Sequence, residues 1–446
     1  MVFSSLLFLF FFFPAVMIGH TFIKPRLRNG FLFAASIVFY AFGDLRYLPL
    51  FLFLTVFNWA SGLAIGRWKG AGRRAASFVS ISVNVLSLIV FKYIKLFMPF
   101  LGFSPDLPLG ISFFVFQSIS YLADVSRGTV HAERGLTGYG AYILMFPQLI
   151  AGPIVRYSDV SAELRERTVD SEALEKGMEL FLCGMAAKVL IANRMGSMYA
   201  DLTAIEGRGM LASFATLLAL SFQYYFDFWG YSMMAQGMGR MMGFRFPDNF
   251  RHPFRATSMR IFWRRWHITL GSWLTSYIYI PLGGSRHGTA RKVLATLITW
   301  AISGLWHGAG WNFLLWGLYF GVMILLEGFF WGKWIERHPV LGRIYTLLAF
   351  NASWFLFTFS TTAESLAFMR EFLRPEAGPN VFFTLLGYAP WFVIAALVSF
   401  LPEDCAVLRR LSAHSGLKKA ALFALLVLCV MSLVQAQYNP FIYFRF

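Results

Sequence analysis

Apolar runs about as long as a bilayer is thick recur from one end of this 446-residue chain to the other, among them Phe31–Gly66, Phe78–Leu101 and Ala420–Val434. A helix crossing the hydrocarbon core needs about 20 predominantly apolar residues, and in lipid only helices and closed barrels satisfy their own backbone groups. Runs of this length read as helices, so the chain is expected to be all-α and polytopic, with about ten to twelve transmembrane or re-entrant helices. Composition argues against the alternative of a large soluble core: 58% of residues are hydrophobic and only 14% charged, where soluble chains average about 25% charged.

The segments fall at Met1–Ile23, Phe31–Tyr40, Tyr47–Ile65, Phe78–Phe100, Ile111–Ala123, Ala141–Val155, Leu180–Ile191 and Leu211–Tyr225, then at Leu294–Gly304, Phe313–Phe330, Ile344–Phe359, Val381–Phe400 and Ala420–Val434. Several are short for a full crossing. Ile111–Ala123, preceded by Pro105 and Pro108, suits a re-entrant segment, which requires protein rather than lipid around its ends. The longest polar stretches, Arg156–Glu175 and Arg240–Arg260, are too short for a soluble domain and are expected as loops or surface helices. No fixed-period repeat occurs. The whole chain, 1–446, is therefore read as one membrane-embedded domain whose polar and aromatic motifs concentrate at 223–328.

Lys and Arg outnumber Asp and Glu by 39 to 22, a net charge of +17. In a soluble chain that would suggest nucleic acid; here the charge sits between apolar runs and follows the positive-inside rule, so no nucleic-acid partner is expected. The clusters Lys24/Arg26/Arg28, Arg67/Lys69/Arg73/Arg74 and Arg409/Arg410/Lys418/Lys419 are expected to face the cytoplasm and to meet anionic lipid headgroups. With no charge before Lys24, Met1–Ile23 reads as a retained first helix with its N-terminus outside. Cys183, Cys405 and Cys429 have apolar neighbours and no metal-ligand spacing, so neither a disulfide nor a metal site is expected.

Three places could carry chemistry. Phe262–His267 reads F-W-R-R-W-H; on a helix it would set Phe262 with Trp266, Trp263 with His267 and Arg260 with Arg264, which suits a basic, aromatic membrane interface. Ser303–Asn312 places His307 between Trp306 and Gly308 at the end of an apolar run, where an ionisable group is either functional or a neutral hydrogen-bonded core histidine. Asp227 is a lone carboxylate among aromatics, and pairing with an arginine is its expected role. There is no G-x-S-x-G elbow, phosphate-binding loop or dinucleotide fingerprint, which disfavours a serine hydrolase or an ATP-driven pump.

At these residues the sequence resembles the membrane-bound O-acyltransferases, and within them the bacterial alginate O-acetylation branch. The resemblance rests on Phe226–Ser232 (F-D-F-W-G-Y-S), Gly243–Phe250 (G-F-R-F-P-D-N-F), Phe262–Leu270 (F-W-R-R-W-H-I-T-L), Tyr279–Gly284 and Gly304–Phe313. Weaker matches run from Met1–Ser5 through Pro108–Phe114 and Phe146–Pro153 to Pro440–Phe444. One departure is Met233, where that branch usually has Asp.

The resemblance implies a multi-pass protein of the inner membrane whose helices surround a central tunnel. It also implies transfer of an acetyl group from a cytoplasmic thioester, acetyl-coenzyme A or an acyl carrier protein, toward a polysaccharide hydroxyl by way of extracytoplasmic acetyltransferase partners. By position His307 is the family's catalytic histidine, and His267 its second motif residue, which is His, Asn or Asp in different members. Trp306, Asn312, Trp263, Asp227, Arg264 and Arg265 are the candidates for holding donor or substrate, with Arg286 a further basic candidate for the donor's phosphates. An imidazole is the physically suitable base for the attack. A D-alanyl or lipid acyltransferase of the same fold is the alternative. A lipid or polysaccharide transporter is disfavoured, because the charges lie in loops and one central region.

Overall fold

The computed structural model of the chain describes residues 2–103, 105–149, 152–359, 361–375, 378, 380–402 and 414–435. Met1, the Ile150-Ala151 part of the Phe146–Pro153 string, Cys405, Arg409, Arg410 and the terminal Pro440–Phe444 string lie outside the described residues. Within them every regular element is helical, apart from one antiparallel bridge between Phe250 and Trp266.

Seven helical stretches among the described residues are long and apolar enough to cross a membrane: Pro25–Arg67, Gly70–Phe97, Gly209–Met241, Trp311–Arg337, Pro339–Phe357, Asn380–Phe400 and Ser415–Gln435. The first of these is a pair of helices, Arg28–Asp44 and Leu48–Arg67, parted where Asp44 leaves the helical region. Helices that looked short in the sequence are longer, because polar or glycine residues continue them. Leu211–Tyr225 lies inside the 33-residue Gly209–Met241 helix, and Leu294–Gly304 inside Gly288–His307. Large apolar side chains stand on the outer faces, Phe22 at 84% exposed and Phe383 at 70%. In water that many exposed rings would drive aggregation, whereas hydrocarbon is their natural surrounding. The chain is a multi-pass membrane protein.

Two compact units divide the described residues, one made of those up to Leu182 with Tyr231–Asp248, the other of Cys183–Gly230 with the described residues from Asn249 to Gln435. In the first, the Ile111–Arg127 helix is buried on almost every side, with Phe114, Val115, Tyr121 and Leu122 fully enclosed. Protein surrounds it, as its polar ends require. Asn58 and Asn84 exchange amide hydrogen bonds at 3.1 and 2.6 Å, joining the Leu48–Arg67 and Gly70–Leu88 helices through buried polar groups.

The segment expected as one helix over Ala141–Val155 is not one. The Leu136–Leu144 helix stops at Met145, whose ψ is 116°, and a short turn follows at Phe146–Leu149. Pro147 has no N–H to give to the preceding turn, so the ladder cannot run on through it.

In the second unit, Gly288–His307 and Trp311–Leu326 form a helical hairpin. Cys183 is half-buried and Cys429 buried.

Candidate active site

The hairpin decides where His307 points. Gly304 and Gly317 face each other across it: a Cβ on Gly304 would stand 2.1 Å from the Phe313 carbonyl oxygen, and one on Gly317 2.1 Å from that of Trp300. Only glycine allows backbones this close. The first helix ends at His307 because Gly308 and Gly310 are fully extended, and the chain re-enters a helix at Trp311. His307 thus occupies the last position of a helix, 5% exposed. Trp306 and Trp316 each lie 5.0 Å from its ring and Phe357 lies 5.8 Å away.

His267 reaches the same place by a different backbone route. The helix that was expected to continue through F-W-R-R-W-H stops at Trp263. Trp266 bridges Phe250, Arg251 N–H donates to the Arg265 carbonyl at 2.9 Å, and Ile268 N–H donates to that of Asn249 at 3.0 Å. These tertiary hydrogen bonds override the helical pattern. Trp263 and His267 therefore do not share a helix face, although Phe262 and Trp266 still stack at 5.6 Å. His267 adopts a left-handed conformation, φ 46° and ψ 52°, and is 2% exposed. Its ring lies 5.6 Å from Trp306 and meets Phe228 edge-on at 4.6 Å. One tryptophan thus touches both imidazoles.

Asn249 fixes the protonation of His267. Its Oδ1 accepts from Thr269 Oγ1 at 2.9 Å and from Thr269 N–H at 3.4 Å, and lies 3.1 Å from His267 Nδ1. A backbone N–H can only donate, so the Asn249 atom is the oxygen and Nδ1 carries the hydrogen. His267 Nε2 is then the bare acceptor, buried and without a hydrogen-bond partner among the described residues. Burial, and secondarily the nearby His307, holds the His267 imidazole well below its ordinary value and keeps it neutral.

The other sequence candidates divide. Trp306 is buried between the histidines. Trp263 packs on Trp300 at 4.9 Å and Phe320 at 4.7 Å, one layer behind His307 through Trp316 at 5.7 Å. Asn312, in the first turn of the second hairpin helix, is half-buried and folds back over Gly310. Arg264 and Arg286 are exposed and Arg265 is half-buried. Asp227 is paired, though with a lysine rather than an arginine: Lys188 Nζ lies 2.7 Å from Oδ1 and also donates to Asn193 Oδ1 at 2.9 Å.

Two residues that position the site carried no role in the sequence reading. Asn249 sits inside the quoted G-F-R-F-P-D-N-F string, where nothing local marks it. Glu327 is 1% exposed and accepts from the N–H groups of Met259 at 2.7 Å and Arg260 at 3.3 Å, capping the short helix that leads into Trp263. A carboxylate inside the apolar run I-L-L-E-G-F-F was the signal available.

A buried imidazole at the end of a glycine-bound helical hairpin, with a second against the same tryptophan, stands beside a wider match. The family described as MBOAT, membrane-bound O-acyltransferase family, matches residues 133–369. The chain belongs to the membrane-bound O-acyltransferase family. It is similar to the probable alginate O-acetylase AlgI of Azotobacter vinelandii, 40% identical over 346 residues that cover 73% of this chain and 68% of that protein. It is also similar to the peptidoglycan O-acetyltransferase of Helicobacter pylori, 28% identical over 100% of this chain and 98% of that one. A third relative is the teichoic acid D-alanyltransferase of Bacillus subtilis, 28% identical over 54% of this chain and 64% of that one. This membrane-bound O-acyltransferase therefore carries its two motif histidines, 267 and 307, in one aromatic enclosure.

Proposed function

We propose that the protein transfers an acetyl group from a thioester donor to a hydroxyl of an envelope polysaccharide, alginate or a similar exopolymer, with His307 as general base. What carries this reading is the burial of His307 beside Trp306 at the end of the glycine-bound hairpin, against the neutral, tautomer-fixed His267. The acceptor oxygen attacks the thioester carbonyl while its proton passes to the His307 imidazole. The tetrahedral intermediate collapses, the carbon–sulfur bond breaks, and the departing thiolate takes the proton back. The products are an ester and a free thiol. His267, with its Nε2 lone pair bare, orients donor or acceptor. The walls of Trp306, Trp316 and Phe357 exclude water, which would otherwise hydrolyse the thioester.

The donor is acetyl-coenzyme A or an acylated carrier protein, and Arg264, Arg265 and Arg286 meet its phosphates or acidic surface. Asp227 is held by Lys188 and supports the fold of its helix rather than the chemistry. The setting is the cytoplasmic membrane, with extracytoplasmic partner proteins completing the transfer to the polysaccharide. The relative named as an alginate O-acetylase favours this acceptor; the D-alanyltransferase relative makes a D-alanyl thioester the second donor to try.

His307→Gln tests the base. The amide keeps most of the volume and can hydrogen-bond, yet it accepts no proton near neutrality. General-base assistance contributes about 10² to 10⁴ in rate, so transfer from labelled acetyl-coenzyme A or acetylated carrier protein should fall at least a hundredfold with expression and melting temperature unchanged. Near-normal turnover by this variant would remove His307 from the chemistry.

A further inference from the structure

Within the first unit, away from His267 and His307 in the sequence, a cavity of about 380 Å³ lies beside the segment that follows the Tyr157–Arg165 helix. Arg167, Arg240 and Arg245 stand on its wall. Among the described residues no anion holds Arg167. Its Nη1 donates to Asn29 Oδ1 at 2.6 Å and to the Glu163 carbonyl at 3.1 Å, both neutral acceptors. Its guanidinium lies over the Phe244 ring, 4.6 Å from the centroid. Its Nε and Nη2 are buried and have no hydrogen-bond partner among the described residues. Burial, and then the neighbouring positive charge of Arg28, brings this guanidinium down to about 10. Arg28 itself donates to the Arg167 carbonyl at 3.4 Å.

Buried donors seldom go unmade. A planar fork of N–H groups with no carboxylate opposite it is suited to receive an oxyanion in bidentate fashion. The surroundings make room for it. Gly243 has φ +87°, and a Cβ there would stand 3.2 Å from the Arg167 side chain. Two acidic residues on the wall are engaged elsewhere: Asp170 Oδ1 accepts from Ala173 N–H at 2.7 Å, and Glu172 pairs with Lys176. Glu163 and Glu166 also line the cavity and would repel an extended acidic surface. The site therefore fits one compact, highly charged group.

We propose that this cavity binds a phosphate ester, gripped by Arg167 and flanked by Arg240 and Arg245. The same chemistry is offered by two sources, the phosphates of a soluble coenzyme and the headgroup of an anionic lipid. Arg167 on the cavity wall is bonded to Arg28 and Asn29, at the basic cluster that the positive-inside rule assigns to the cytoplasm, where both sources are found. The proposal goes beyond the acyl-transfer reading and rests on none of its steps.

Binding rather than turnover tests it, so its failure would leave the His307 reading standing. The full chain is placed in phosphatidylcholine nanodiscs and titrated with tritiated coenzyme A, with inorganic phosphate as competitor. A parallel preparation containing phosphatidylglycerol is washed, and the retained lipid is counted by mass spectrometry. One of the two probes should be bound by the unmodified chain and weakened about tenfold or more by Arg167→Gln, a charged bidentate contact being lost. Arg167→Lys, which keeps the charge but loses the fork, should bind several-fold more weakly than the unmodified chain, and so should Arg245→Gln. Glu166→Gln should bind as well or better. Coenzyme A binding alone identifies the soluble source, and phosphatidylglycerol retention alone the lipid. Arg245 is exposed, so its variant folds and carries the test if Arg167→Gln does not. Binding of neither probe, or equal binding by the unmodified chain, Arg167→Gln and Arg245→Gln, would overturn the proposal.

Discussion

Asn249 holds His267 in one tautomer, and the two residues lie on separate stretches joined by the Phe250–Trp266 bridge. Asn249→Ala removes the acceptor for His267 Nδ1 and for Thr269 at once. Each buried donor left without a partner costs about 1 to 3 kcal/mol, so the variant should melt lower. With the tautomer released, transfer per folded molecule should fall about tenfold or more. Asn249→Asp keeps an acceptor oxygen at the same place and should recover most of the loss in turnover. Wild-type turnover by the Ala variant would show that the orientation of His267 is irrelevant to the reaction. His307 was legible because an imidazole in an apolar run stands out, and Trp306 and His267 because they fall in the strings that carry the family resemblance. Asn249 was not, since its role depends on a hydrogen bond between two loops that no local spacing records.

Among elements, the hairpin of Gly288–His307 with Trp311–Leu326 sets the position of His307. Gly304→Ala puts a methyl group against the Phe313 carbonyl and should cost about 1 to 3 kcal/mol by overpacking, with loss of transfer in the protein that still folds. In the Asn380–Phe400 helix, a Cβ on Gly387 would meet nothing within 4 Å among the described residues. Gly387→Ala should be neutral or stabilising by about 0.5 to 1 kcal/mol. Thermal melts of the two in matched micelles check the pair, and equal melts would remove the close crossing as the reason for the glycine. The hydrophobic periodicity made the long helices readable. It misplaced the helix through Phe262–His267, because six residues with helical spacing are compatible with a turn once Phe250 and Asn249 supply better backbone partners.

For the molecule as a whole, the charge pattern predicts an orientation with the N-terminus outside and the Arg67–Arg74 turn inside. Ser4 is buried, so it makes a poor reporter. Arg46, exposed in the turn between the Arg28–Asp44 and Leu48–Arg67 helices and paired with Asp106 at 2.8 Å, serves the outer side. Single cysteines at Arg46 and Ala71, in a chain with Cys183, Cys405 and Cys429 replaced, should react with impermeant maleimide from opposite faces of the membrane. Labelling of both from one face would reverse the reading. The membrane class of the molecule was plain from its apolar runs. The two-unit division was not, because the first unit reclaims Tyr231–Asp248 from far along the chain, and contacts between distant segments leave no mark on composition.

The left-handed backbone at His267 has a consequence for how this position can drift over generations. Few side chains tolerate positive φ, and histidine, asparagine and aspartate are foremost among those other than glycine. The resemblance that identifies the second motif residue allows those three. A base, an amide and an acid have little chemistry in common, yet all three can follow the same turn of the chain at φ 46°. Residue 267 is then constrained first by a dihedral angle and only second by a functional group, so any of the three could stand here without rebuilding the loop that carries it.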